Sequence, residues 1–97
     1  MPTPNKIPAP HILIVDDDEQ FGRMLESVIT KIAGFSCSFV PDARKALEVL
    51  DSSIIDVVIT DIKMPDINGL ELTRIVKAKY NSAVIVLTGY HEDFTYE

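Results

Sequence analysis

The sequence predicts an α/β domain built on a central parallel sheet, and three observations carry that expectation. Four short runs, 11–15, 35–40, 56–60 and 83–87, have the length and composition of strands. The first, third and fourth are apolar on both faces, as strands buried on both sides of a parallel sheet are. Stretches with helical apolar spacing separate the four runs, and that alternation specifies right-handed crossovers with helices on both faces of the sheet.

Each element has its own signal. Residues 1–10 hold four of the six prolines and little apolar periodicity, so they read as an extended leader ahead of the domain at 11–97. His11-Ile-Leu-Ile-Val15 is the first strand, and Asp16, Asp17, Asp18 and Glu19 end it. Phe21, Met24, Leu25, Val28, Ile29 and Ile32 then fall on one stripe of an amphipathic helix that closes at Gly34. Phe35 to Val40 is the second strand, after which Pro41 and Asp42 open a helix through Ala43, Ala46, Leu47 and Leu50, with acids early in it. Asp56 to Thr60 is the third strand and leads into Asp61. A turn-rich loop, Lys63-Met-Pro-Asp-Ile-Asn-Gly69, precedes a helix from about Leu70 to Lys79 with Leu72, Ile75 and Val76 inward. Ala83 to Leu87 is a fourth buried strand ending in Thr88-Gly89, and 90–97 reads as a loop with at most the start of a helix.

Composition narrows the function. Ninety-seven residues accommodate one small domain and not two. No apolar run reaches the roughly 18 residues of a membrane span, and the N-terminus lacks a secretory signal pattern, so a cytoplasmic location is expected. The single cysteine, Cys37, excludes an internal disulfide and fits a reducing compartment. Nine basic against fifteen acidic side chains give a net charge of −6, the wrong sign for gripping a phosphate backbone. Nucleic-acid binding by this segment is therefore not expected.

In an open parallel sheet, ligands collect beyond the carboxyl ends of the strands. The predicted elements place the acids after strand one, Asp61 after strand three and Thr88 after strand four at that one edge. Carboxylates aimed at a common point repel each other unless a cation sits among them. Hard oxygen donors with no neighbouring Cys or His favour Mg²⁺ or Mn²⁺ completed by waters. A hydroxyl and backbone amides at the same edge can donate to phosphoryl oxygens, so the set suits phosphoryl chemistry on a carboxylate nucleophile.

Ile12-Leu-Ile-Val-Asp-Asp17, Val58-Ile-Thr-Asp61-Ile-Lys-Met64-Pro65 with Gly69, and Val84-Ile-Val-Leu-Thr88-Gly89 together resemble the receiver domain of bacterial two-component response regulators. The likeness runs from His11 to about Gly89. It implies a flavodoxin-like, doubly wound parallel sheet of strand order 2-1-3-4, and a phosphoacceptor role for Asp61 toward a phosphohistidine on a sensor histidine kinase. It implies Mg²⁺ (or Mn²⁺) held by Asp17 directly, by Asp16 through water or as a second contact, by Asp61, and by the Lys63 backbone carbonyl. By the same resemblance Thr88 is the switch hydroxyl, and Met64, Pro65 and Gly69 shape the loop, the glycine through a conformation barred to other residues. The resemblance also implies that Lys63 and Tyr90 occupy the two positions that tune hydrolysis of the acyl phosphate.

A complete receiver continues through a fourth helix, a fifth strand with its terminal Lys, and a fifth helix. These are missing here, so the 97 residues are expected to be a fragment of a longer regulator whose output domain and target are unknown. Strand four would then be an open edge inviting self-association. Two other readings stand beside the receiver. One is a phosphorylation-silent interaction module with the same fold. The other is a metal-dependent phosphatase-like enzyme, disfavoured because Lys63 stands where a general acid would follow Asp61 by two residues. Structural roles are expected for Asp18 and Glu19 as helix caps, His11 at strand entry, Cys37 as a small core or edge residue, and Lys77 and Lys79 as helix C-terminal charges. The Asp66-Ile-Asn68-Gly69 echo of a calcium loop lacks the required acid spacing and terminal Glu.

Overall fold

The computed structural model describes residues 9–88. Four parallel strands, β1 (His11–Val15), β2 (Ser36–Val40), β3 (Val57–Asp61) and β4 (Ala83–Leu87), form one sheet in the order β2-β1-β3-β4. Three helices, α1 (Glu19–Val28), α2 (Ala43–Ser52) and α3 (Gly69–Lys79), make the crossovers. This is the predicted order, and the element boundaries shift by one or two residues from the sequence reading. Phe35 lies outside β2 and is exposed, and Asp61 is the last residue of β3 rather than the first beyond it.

Capping explains the helix starts. Asp18 precedes α1 and accepts the Phe21 amide at 3.1 Å, Asp42 accepts the Lys45 amide at 2.8 Å, and Asn68 accepts the Glu71 amide at 2.9 Å. The acid expected early in α2 is thus its cap, and the first turn of that helix holds none. Beyond α1 the chain continues as a π-helical turn, Ile29–Ala33, and stops at Gly34 with φ of 74°. A left-handed residue there is what a helix C-terminus takes when glycine is available.

Strand register assigns the two faces of the sheet. Leu13 pairs with Val58 and Val58 with Val84, so these side chains share a face. On that face the core forms, with Leu13, Val15, Val40 and Val58 packed against Ala43, Ala46 and Leu50 of α2 and Leu72 and Val76 of α3. The opposite face, carrying Ile12, Ile14, Val57, Ile59 and Ile85, is covered by α1 over β1 and β2. Ile12 and Ile14 are buried there, whereas Ile85 on β4 is 49% exposed.

The stripe expected to bury α1 divides in two. Leu25 and Ile29 are half-buried, while Phe21, Met24, Val28 and Ile32 are exposed, Met24 by 53% and Ile32 by 82%. The buried contact of α1 is instead Gly22, which lies against the Phe39 ring. The packing of α1 is against β1, β2 and the π-helical turn that follows it, and the outer part of the stripe is left exposed. Strand β4, expected to be buried, is likewise exposed or half-buried along its length because it is an edge of the described sheet.

Gly22 supplies a test of this packing. A Cβ there would stand 2.1 Å from Phe39 Cε1, and the same ring carries the Arg23 guanidinium 4.8 Å from its centroid. Gly22→Ala gains about 1 kcal/mol of helix propensity and incurs roughly 1–3 kcal/mol of overpacking. The expected net result is a lower urea midpoint. In a Phe39→Leu background the same substitution is expected to raise it.

Candidate functional site

The carboxyl ends of β1 and β3 bring three predicted residues together. Asp16, Asp17 and Asp61 each offer a carboxylate oxygen within 4.8 Å of the others. Asp16 is buried, Asp17 exposed and Asp61 half-buried, so the cluster spans the boundary between core and solvent. Parallel pairing accounts for the convergence: Val15 is in register with Thr60, which places the residue after β1 beside the end of β3.

Local hydrogen bonds fix the cluster's backbone. The Asp16 amide donates to the Val40 carbonyl at 3.2 Å, and Asp16 Oδ1 accepts the Asp18 amide at 2.9 Å. Thr60 is fully buried and its hydroxyl donates to the Asp61 carbonyl at 2.9 Å. A cleft of about 450 Å³ opens beside the acids, lined by Asp17, Ile62, Lys63, Met64, Pro65 and Asn68. Lys63 therefore lines the same space as Asp17. Met64 turns its side chain into the core and Pro65 stays exposed. Thr88 follows β4 directly and is exposed. Tyr90 and Gly89 lie outside the described residues.

Gly69 corrects its expected reason. It carries no positive φ; among the described residues Gly34 and Asp66 do, Asp66 at 71°. Gly69 is required for space, since a Cβ would lie 2.0 Å from the Asp61 carbonyl oxygen and 3.0 Å from Ile62 Cα. Its amide also donates to the Ile62 carbonyl at 2.9 Å, closing the neck of the loop. The first turn of α3 is thereby pressed onto the strand end that bears Asp61.

Electrostatics set Asp16 apart within the cluster. Burial raises the Asp16 pKa most, the charges of Asp61, Asp17 and Asp18 raise it further, and the Asp18 amide opposes them. The folded protein therefore holds a proton on Asp16 above the pH at which the unfolded chain releases it. Stability falls as pH rises through that window, and the cost persists at neutral pH without a counter-ion. Asp16→Asn is expected to raise the urea midpoint at pH 7 in chelator, with the gain shrinking as pH falls toward 4. Divalent cation should narrow the gain at pH 7, because a bound ion favours the charged form.

The remaining candidates sit elsewhere. His11 is at the opposite end of the sheet, its Nε2 2.9 Å from Ser38 Oγ and its amide donating to Asp56 at 2.8 Å. Cys37 is half-buried on edge strand β2, and burial pushes its thiol up to about 11. Lys77 and Lys79 occupy the last turn of α3, with Lys77 Nζ donating to the Ser82 carbonyl at 3.3 Å. Two features escaped the sequence reading. Asn68 caps α3, a signal legible in its position before the helix, and Asp66 pairs with Arg44 of α2, which sequence spacing does not reveal.

Residues 12–97 match the family described as response regulator receiver domain. The DNA-binding transcriptional regulator NtrC of Proteus hauseri is 35% identical over 83 residues, 86% of this chain and 17% of that protein. The signal receiver domain of an HD domain-containing protein from Pseudomonas fluorescens Pf-5 superposes with a TM-score of 0.79 at 29% identity, covering 88% of this chain and 68% of that one. A Thermotoga maritima response regulator protein, TrrA, solved in complex with Mg²⁺-BeF, gives a TM-score of 0.74 at 34% identity over 84% of this chain and 70% of that one. The chain thus spans about a sixth of the regulator's length and about two thirds of the solved receivers. Among the described residues no helix is long and apolar enough to cross a membrane. With its strand order, its strand-end acids and these matches, the chain belongs to the response regulator receiver domain family, the signal-receiving part of two-component systems.

Proposed function

We propose that this domain, residues 11–97 after a leader at 1–10, accepts a phosphoryl group on Asp61 from a sensor histidine kinase. The observation that carries the reading is the convergence of the Asp16, Asp17 and Asp61 carboxylates at the carboxyl edge of the sheet. An Asp61 carboxylate oxygen forms a bond to phosphorus as the phosphorus–nitrogen bond of the donor's phosphohistidine breaks. The imidazole leaves with the bonding electron pair and takes a proton, and Asp61 becomes an acyl phosphate.

Asp16, Asp17, Asp61 and the Lys63 carbonyl fit a Mg²⁺ or Mn²⁺ ion, being hard oxygen donors, few and charged. Such an ion neutralises the charge that develops on the transferring oxygens. Met64 anchors the loop, Pro65 restricts it, and Gly69 admits α3 against the nucleophile's backbone. The Thr88 hydroxyl turns onto a phosphoryl oxygen after transfer and carries the change to the segment beyond β4. Lys63 and Tyr90 set how readily water reaches the acyl phosphate. The domain is regulatory rather than metabolic, and its output domain or target protein belongs to the longer regulators it is similar to. Association through the β4 edge is a second reading, favoured by the exposed apolar strand.

Acetyl phosphate with Mg²⁺, read by intact mass and peptide mapping, tests the first reading. One added phosphoryl group, mapped to Asp61 and dependent on the divalent ion, supports it. Donor turnover with no adduct, or an adduct elsewhere on the folded chain, overturns it. Analytical ultracentrifugation over a range of concentrations tests edge association, and a constant monomer mass sinks that reading.

A further inference from the structure

The loop between β3 and α3 is restrained at four points. The Gly69 amide closes its neck on Ile62, Met64 is buried in the core, and Asn68 caps the helix that follows. Those three lie within β3, the loop and α3. The fourth comes from another helix and is 22 residues distant in sequence. Arg44, in the first turn of α2, sets Nε 2.5 Å from Asp66 Oδ2 and Nη2 3.4 Å from Asp66 Oδ1.

Asp66 is at the point where the loop needs help. Its φ of 71° makes it the positive-φ non-glycine residue among those described, a conformation that costs a residue with a Cβ. A planar guanidinium gripping both carboxylate oxygens fixes direction as well as distance, which a point charge cannot do. The pair is exposed, so its energy is modest, and its lever is geometric. The same loop carries Lys63, which lines the cleft beside Asp17.

We propose that Arg44 is a positioning residue for the carboxylate pocket: its fork on Asp66 fixes the loop tip, and through it Lys63, which lines the Asp17 cleft. The inference rests on reading the pocket as a divalent-cation site. It has a distinguishing sign. A cationic side chain acting only through its charge would repel a metal ion, so its removal would tighten binding; a positioning residue does the opposite.

The test uses the full 97-residue chain with Mn²⁺ as probe, read by electron paramagnetic resonance, together with amide hydrogen exchange at Gly69. Arg44→Ala is expected to weaken Mn²⁺ binding roughly two- to fivefold and to speed Gly69 exchange. Asp66→Asn, which keeps a residue tolerant of positive φ, should speed Gly69 exchange by a similar factor. The double variant should exchange no faster than either single one, because both remove one interaction. The Arg44→Ala effect should fade in 1 M salt, where the screening length falls to about 3 Å. Tighter Mn²⁺ binding, unchanged Gly69 exchange, or additive effects in the double variant would overturn the proposal. Failure of the parent chain to bind Mn²⁺ would instead remove the pocket reading, while Gly69 exchange still decides whether Arg44 holds the loop.

Discussion

Asp61→Asn is expected to abolish the phosphoryl adduct while leaving the fold intact. The amide is nearly the same size as the carboxylate, so the end of β3 keeps its shape, but it has no anionic oxygen to attack phosphorus. The substitution also removes one of three converging negative charges, including the Asp61 charge that raises the Asp16 pKa. Without divalent ion, the variant should therefore melt at or above the parent's temperature. Circular dichroism and intact mass on the same sample check both halves. An adduct that survives at parental level would mean that another residue is the acceptor, and loss of both adduct and fold would mean that Asp61 is structural.

Gly69→Ala is expected to have the largest effect on stability of any conservative change near the site. The new Cβ would meet backbone atoms, with the Asp61 carbonyl oxygen at 2.0 Å and its carbon at 2.9 Å, so no side-chain rotation relieves the clash. Either α3 moves off the strand end or the Asp61 peptide rotates away from the Thr60 hydroxyl that bonds it. Overpacking of this kind costs about 3 kcal/mol or more, against a total that is about 5–15 kcal/mol for whole domains. The expected outcome is a strongly lowered urea midpoint and loss of phosphorylation at temperatures where the parent is folded. Gly34→Ala is the control: nothing lies within 4 Å of its Cβ, so only the φ of 74° is strained, at about 1 kcal/mol. A Gly69→Ala variant as stable as Gly34→Ala would show that the loop has slack.

Much of the architecture was legible because buried parallel strands must be apolar on both faces and their connections must be helical. Ile12 to Val15 could hardly be anything else, and the acids that follow it had to lie at the same edge as Asp61 once the strands were parallel. What periodicity cannot report is whether anything stands opposite an apolar stripe. Phe21, Met24 and Val28 share a helix face as expected, yet all three stay exposed in the described structure. Gly69 was legible as a special position but not for its cause, since a close approach between backbones leaves no mark in the local sequence. The Arg44–Asp66 pair joins two charged residues that each look like ordinary surface, and only the packing of α2 beside the loop brings them together.

The lopsided distribution of packed side chains has a thermodynamic consequence. Apolar area hidden from water sets the heat-capacity change of unfolding, and here most of it is hidden on the α2 and α3 side of the sheet. Ile85 and the outer residues of α1 are hydrated already in the folded state. Unfolding the described residues therefore releases less new apolar surface than a sheet covered evenly on both sides would. For the described residues this means a heat-capacity increment below the usual value of about 12–15 cal/mol/K per residue, and with it a flatter free-energy dome, as calorimetry reads it.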